Sequence, residues 1–276
     1  MNFLSYFARV SRVAGFGALL SVGFAAPLAA QNAARGPELA YRSADRTAAS
    51  ATVPVASRTT APAGWKAVLV GANHLIDNHN NAATDLGARL RQGGVQRVAV
   101  LHSMGSQASD AVPSARRREM RKAFSALGAG EACLFFISSH ANKRGVYLSA
   151  ERGYLSPREL SSMIDDECGN RPTVLIISGC NTGGFITSSL TAPNRIILTA
   201  SASDRVSYGA TTTDRYVNFD RCIIKAMDAG ARTWREVFDR AQPCINEREA
   251  ALGVAASQPQ AWFGAQVANL ALPGRM

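Results

Sequence analysis

The chain holds four histidines and five cysteines, and one of each stands where an apolar run ends. Ala132-Cys-Leu-Phe-Phe-Ile-Ser-Ser139 leads into His140, and Thr173-Val-Leu-Ile-Ile-Ser-Gly179 leads into Cys180. A thiol attacks a carbonyl as its thiolate, and a neighbouring imidazole both favours that form and returns a proton to the leaving amine. The tetrahedral oxyanion then needs backbone N–H donors. The glycine-rich turn Ser178-Gly-Cys-Asn-Thr-Gly-Gly184 can present the Cys180 N–H, and the N–H of Ala141, just after the histidine, is a second candidate. Taken alone, a single thiol and a single imidazole also fit a buried structural cysteine and a hydrogen-bonded surface histidine. The catalytic reading therefore depends on the elements that carry them.

Both runs are short, continuously apolar and bounded by turn residues, the pattern of strands buried on both faces of a parallel sheet. The stretch between them holds a short hairpin, Val146–Ser149 and Tyr154–Leu155 around Glu151-Arg-Gly, and a helix opened by Ser156-Pro-Arg-Glu159. That is enough chain for a crossover connection, so the two strands can lie side by side and point the same way. His140 and Cys180 then share the carboxyl edge, where open α/β sheets place their sites. Further strands are expected over Trp65–Gly71, Val95–His102 and Asn194–Ala200, with helices over Asn81–Arg91, from Ser114, over Phe219–Asp228 and from Thr233. The segment Gln260–Leu272 reads as an outer strand or as packing beneath the sheet. Strands alternating with helices make the fold class α/β.

The remaining cysteines are Cys133, Cys168, Cys222 and Cys244. No pair has C-x-x-C spacing and no histidine lies near enough in sequence for a zinc site, so neither a metal nor a cofactor is expected. An odd count leaves at least one thiol over, and Cys180 is the candidate. The other four allow three pairings, between which the sequence does not choose.

The first thirty residues carry Arg9 and Arg12, no acidic residue, and an apolar run from Val13 to Leu28 closing on Ala29-Ala30. This is the layout of a secretory signal peptide, residues 1–30, and implies a secreted or periplasmic protein. Residues 31–64 shift to Ala, Ser, Thr, Arg and Pro, a composition that cannot offset the entropy of ordering, and read as a disordered linker or pro-segment. Residues 65–276 remain for the folded domain. The net charge of +10 is partly a leader effect, because residues 1–64 hold six arginines against Glu38 and Asp45 and leave +6 for the rest. The densest basic run, Arg116 to Lys122, has no interleaved aromatics and reads as a solvated helix face rather than a nucleic-acid footprint. A weak contact with anionic membrane or cell wall stays open.

Three stretches, Leu134-Phe-Phe-Ile-Ser-Ser-His140, Val174-Leu-Ile-Ile-Ser-Gly-Cys-Asn-Thr-Gly-Gly-Phe185 and Leu198-Thr-Ala-Ser-Ala-Ser-Asp-Arg-Val-Ser-Tyr-Gly209, together with Ser257-Gln-Pro-Gln260 and Gly264, resemble the legumain-like cysteine peptidases. That group includes the asparaginyl endopeptidases and the glycosylphosphatidylinositol transamidases, and the likeness is closer to its bacterial secreted branch. It runs from Trp65 to Leu272. The resemblance implies a caspase-like, mostly parallel sheet flanked by helices in three layers, with His140 as general base and acid and Cys180 as nucleophile. It further implies an oxyanion hole from the Ala141 and Cys180 backbone, and Ser178 and Ser207 as substrate-binding residues. Legumain itself carries an acidic residue where Ser178 stands, so cleavage after asparagine is not inherited. The family usually has glycine at the place of Ala141, which would strain the donor here if that position required positive φ. A supporting asparagine of the family falls among Asp77, Asn78, Asn80 and Asn81.

His74 and His79 are expected as polar loop residues, His102 as a surface residue at a strand end, and Asp204, Asp214 and Arg215 as potential readers in the loop after the third stretch. The expected function is an exported cysteine endopeptidase acting on protein or peptide substrates through an acyl-enzyme. The alternatives are a transpeptidase using the same Cys-His dyad and a non-catalytic caspase-like binding module, the latter motivated by Ala141.

Overall fold

A residue buried on a parallel strand must pack above or below the sheet, and successive side chains alternate between the two. That alternation organises the computed structural model, in which residues 61–103, 114–125, 127–211 and 213–274 are described. Strands β1 (Gly64–Gly71), β2 (Arg97–His102), β3 (Glu131–Ser138), β7 (Thr173–Ser178), β8 (Arg195–Thr199) and β9 (Gln260–Phe263) form one sheet in the order β2-β1-β3-β7-β8-β9. All neighbours are parallel except β9, which pairs antiparallel with β8 and so takes the outer-strand role. A small antiparallel sheet, β4 (Ala141–Asn142), β5 (Gly145–Leu148) and β6 (Gly153–Leu155), grows directly out of His140.

The helices are α1 (Asn78–Gln92), α2 (Arg117–Phe124), α3 (Pro157–Glu167), α4 (Asn218–Asp228) and α5 (Trp234–Ala251). Leu134 and Phe136 of β3 and Val174 and Ile176 of β7 face the layer that holds Leu86 of α1, Phe219 of α4 and Trp234 of α5. Their chain neighbours Phe135, Ile137, Leu175 and Ile177 face the layer that holds Phe124 of α2 and Leu160 and Ile164 of α3. The result is a three-layer, mostly parallel α/β architecture. Each such side chain, fully removed from water, contributes about 1.5–3 kcal/mol.

The cysteines reinforce both outer layers. Cys133 of β3 is bonded to Cys168 at the end of α3, and Cys222 of α4 to Cys244 of α5, while Cys180 is free. Helix α3 begins as its sequence anticipates, with a reciprocal capping box between Ser156 and Glu159 and a proline in the first turn.

Two local expectations change. The basic helix α2 is not merely solvated, because Arg117 pairs with Glu151 and Glu159 and Arg121 with Asp166 and Glu167, so its charge is partly committed to neighbouring elements. Helix α1 begins at Asn78, ahead of the expected Asn81. The expected signal peptide, and residues 31–60 of the expected linker, lie outside the described residues. Ala63 donates its N–H to Gly130 O (3.0 Å) and Gly64 opens β1, so the end of that expected linker is joined to the sheet. Among the described residues no helix is long and apolar enough to cross a membrane, and no cluster of three or more His, Cys, Asp or Glu could hold a metal ion.

Candidate active site

Ser138 and Ser178 face each other as the last paired residues of β3 and β7, so the chain leaves both strands at one level. His140 and Cys180 follow each exit at the same spacing. The exits touch through Gly179, at φ +153°, where an added Cβ would stand 2.7 Å from Ser139 O and 2.8 Å from the Ala141 Cβ. Only glycine permits that approach. Asn181, next to the cysteine, is left-handed at φ 59°, a conformation asparagine tolerates better than most residues. Its N–H donates to Arg205 O (2.8 Å) and its Nδ2 to Ser203 O (3.0 Å), which ties the cysteine turn to the loop after β8.

A small pocket at this edge is lined by His140, Cys180, Ser178, Ser207 and His79, with Val217 closing one side. Cys180 is half-buried and its Sγ donates to Ser207 O at 3.7 Å. His140 is exposed, its ring edge-on to that of His79 at 5.6 Å. A larger cavity lies at the opposite edge of the sheet, around Trp65, Arg97 and Glu131, and holds neither thiol nor imidazole.

The backbone N–H groups expected as oxyanion donors are those of Cys180 and Ala141. Among the described residues the Cys180 N–H makes no hydrogen bond. Tyr147 N–H donates to His140 O (2.8 Å), so the facing pair Ala141 and Val146 is the kind without ladder bonds, and the Ala141 N–H turns out of the hairpin. The Gly179 exit lies on that side. Positive φ occurs among the described non-glycine residues only at Arg152, Asn181 and Gln258, so Ala141 carries none of the strain its side chain would imply.

The sequence reading missed two residues of this edge. His79 is not a loop residue but sits in the first turn of α1, 3% exposed. It gets there because Gly71 lets α1 close on the end of β1, where a Cβ would meet Asn80 Oδ1 at 2.3 Å. His79 Nδ1 lies 2.8 Å from Ser138 Oγ, and Ser138 Oγ donates to Asp220 Oδ2 of α4 at 2.5 Å. Burial, seconded by His140, pushes His79 down to about 3, which keeps the ring neutral. Burial also pushes the fully enclosed Asp220 up to about 7, opposed by the hydroxyls of Ser138 and Ser178. Ser178 Oγ stands close enough to Asp220 to act on it but outside hydrogen-bond geometry. Asp220 had one sequence signal, an acid at core spacing from Ile223, Ile224 and Met227.

Other candidates lie elsewhere. His102 is buried rather than on the surface, with Nε2 2.9 Å from Thr84 Oγ1, and does not line the pocket. Asp214 pairs with Arg248 and Arg215 with Asp85, so neither reads the pocket, while Asp204 lines a neighbouring hollow with Lys143 and Asn181. Asn78 and Asn81 donate to Asp214 O and Arg215 O, and Asn80 is enclosed beneath Gly71. None of Asp77, Asn78, Asn80 and Asn81 lines the pocket, and from their segment Ile76 and His79 do.

Comparison with known proteins agrees with this architecture. No curated protein matches the chain at a significant level. Among solved structures, caspase-1 from Spodoptera frugiperda superimposes with a TM-score of 0.53 over 74% of this chain and 90% of that one, at 13% identity, a likeness of fold alone. A model of the Peptidase C13 family matches residues 126–268, a span that takes in both strand exits. With more than half of its length matched and a caspase-like fold around the free thiol, this chain belongs to the Peptidase C13 family, the legumain family, and is a cysteine peptidase.

Proposed function

We propose that the protein is an exported endopeptidase in which Cys180 and His140 form the catalytic dyad. The observation that carries this is the one free thiol among the described cysteines, standing with His140 on a single pocket across the Gly179 contact. His140 takes the thiol proton, and the thiolate forms a bond to the scissile carbonyl carbon. The Ala141 and Cys180 N–H groups hold the oxyanion, and the amine leaves with the proton from His140. Water, deprotonated by the same imidazole, then cleaves the thioester. The pocket lined by Ser178 and Ser207 takes the side chain before the cut, and the hollow around Lys143 and Asn181 leaves room for chain beyond it, which supports an endopeptidase.

Export is supported by the two disulfides, which persist in oxidising compartments. The signal peptide of residues 1–30 would direct it, with residues 31–64 as a linker or pro-segment. Ala141 does not have positive φ, which weighs against the strain that motivated the binding-module alternative. The experiment is digestion of a diverse peptide mixture by the mature protein beside its Cys180→Ala variant, with cut sites read by mass spectrometry. Cuts that vanish with Cys180 are expected. Cuts of equal rate in both, or none in either under mild reduction, would remove the reading.

A further inference from the structure

The small sheet that grows out of His140 has two faces of opposite character. Val146, Leu148 and Leu155 are buried in the layer that holds α2 and α3. The alternate residues Tyr147 and Tyr154, which face each other in the β5–β6 register, therefore lie on the outer side. Their ring centroids are 5.3 Å apart, and the Arg144 guanidinium lies over the Tyr154 ring at 4.6 Å. Asn142 ties the group together. Its Oδ1 accepts from the Arg144 N–H (2.8 Å), and its Nδ2 donates to the Tyr154 hydroxyl (2.9 Å). Gly145, at φ +132°, lets the turn close on β6, since a Cβ there would run into Leu155 O. Arg144 is thus held in place before a ligand arrives, which lowers the cost of binding one.

The charge of this face is not neutralised from within. Among the described residues, none of the exposed Lys143, Arg144, Arg152 and Arg158 forms an ion pair. The acids next to them in sequence, Glu151 and Glu159, are engaged by Arg117. A guanidinium stacked on a ring keeps its N–H groups in the open plane, where two of them match a carboxylate. Asn142 and Lys143 also line the hollow that holds Asn181, next to Cys180, and only the two residues of β4 separate His140 from the turn. Two strand residues span about 7 Å, which two or three extended residues of substrate cover. We propose that this face reads the substrate beyond the cut, with Arg144 on Tyr154, aided by Lys143, taking an aspartate or glutamate side chain about two to four residues after the scissile bond. Arg144 is then a specificity-determining residue, and the assignment rests on the reading of the hollow as the path of the chain after the cut. Asp204 lines that hollow together with Lys143. A charged side chain inside it gains from one and loses to the other, so the preference belongs to residues beyond it.

The test uses peptides cut at one bond, identical except for glutamate or glutamine placed in turn at each position after it. The kcat/KM values are compared for wild type, Arg144→Gln and Tyr154→Leu at low and high salt. In wild type the glutamate-to-glutamine ratio should reach about three- to tenfold beyond the first position at low salt and shrink as salt is added. It should fall to near one in Arg144→Gln and be reduced in Tyr154→Leu. A wild-type ratio near one at every position overturns the proposal, as does a preference that survives in Arg144→Gln or peaks at the first position. Nuclear magnetic resonance of the Cys180→Ala protein gives a reading independent of cleavage. The glutamate peptide should shift the Arg144 Nε–H and Tyr154 ring signals, and the glutamine peptide should not. Absence of that shift overturns the proposal, and so does tighter binding at the same signals by a short single-stranded oligonucleotide of equal charge, which would make the face a general polyanion site. Loss of all Cys180-dependent cleavage with the shift retained strikes the dyad reading alone.

Discussion

Asp220 makes the stability of the fold depend on pH. Its carboxyl is fully enclosed and raised from 3.8 to about 7 in the folded state. Below the unfolded value both states hold the proton. As pH rises the unfolded chain ionises first, the native state binds the extra proton, and stability falls until the folded carboxyl ionises too. The contribution is therefore fully present below about pH 4 and lost by pH 7 to 8, with a total of about 4 kcal/mol. Asp220→Asn keeps the volume and removes the titration. Asp85, Glu159 and Asp214 have lowered carboxyl pKa values, Asp85 chiefly through its hydrogen bond with Arg215. Glu159 and Asp214 are lowered, against the desolvation of burial, by bonds to Ser156 and Thr211 and by nearby arginines. These groups act in the opposite direction in both proteins and cancel in the difference. Guanidinium unfolding of Cys180→Ala, with and without Asp220→Asn, from pH 4.5 to 8.5 reads that difference. The parent should lose about 3 kcal/mol relative to the variant across the range and then level off. A difference that stays constant, or grows in the parent's favour with pH, would show that Asp220 ionises like an exposed carboxylate and would refute the reasoning.

Gly179→Ala should strain the turn by about 1–3 kcal/mol. Because its Cβ would press on Ser139 O and Ala141, it should also lower kcat/KM by on the order of a hundredfold while far-ultraviolet circular dichroism is unchanged. Full activity would mean that the contact between the exits does not position the site. Replacing Cys133 and Cys168 together by alanine opens a link between residues 35 apart in sequence. It should cost about 3–4 kcal/mol in guanidinium unfolding, and a loss below the error of the extrapolation would count against that pairing.

Much of this edge was legible because it rests on local pattern. A parallel strand buried on both faces has to be continuously apolar, and β3 and β7 are, so their order, direction and reactive ends followed from the crossover between them. The odd cysteine count pointed to Cys180 as the free thiol, but the pairing of the other four needed proximities that only packing creates. His79 was missed because the start of α1 depends on how closely Gly71 lets the helix approach β1, a contact across the fold rather than along it. Asp220 was overlooked because a single acid in an apolar helix does little to the helical pattern, and its meaning appears only beside Ser138 and Ser178. The pairing of Arg117 and Arg121 was hidden for the same reason, since Glu151, Glu159, Asp166 and Glu167 come from later in the chain. The small strand β4 escaped notice because two residues carry no periodicity.

The most direct test of the dyad is the covalent step itself. Wild-type protein, Cys180→Ala and His140→Ala would each be mixed with a cleavable peptide, quenched in acid within the first turnover, and weighed intact. The account predicts a mass increase equal to the amino-terminal peptide fragment less one water, held as a thioester on Cys180 in the wild type and absent from Cys180→Ala. With His140→Ala the adduct should be absent or strongly slowed. An adduct on any other residue, or peptide cleavage that proceeds in Cys180→Ala, would contradict it.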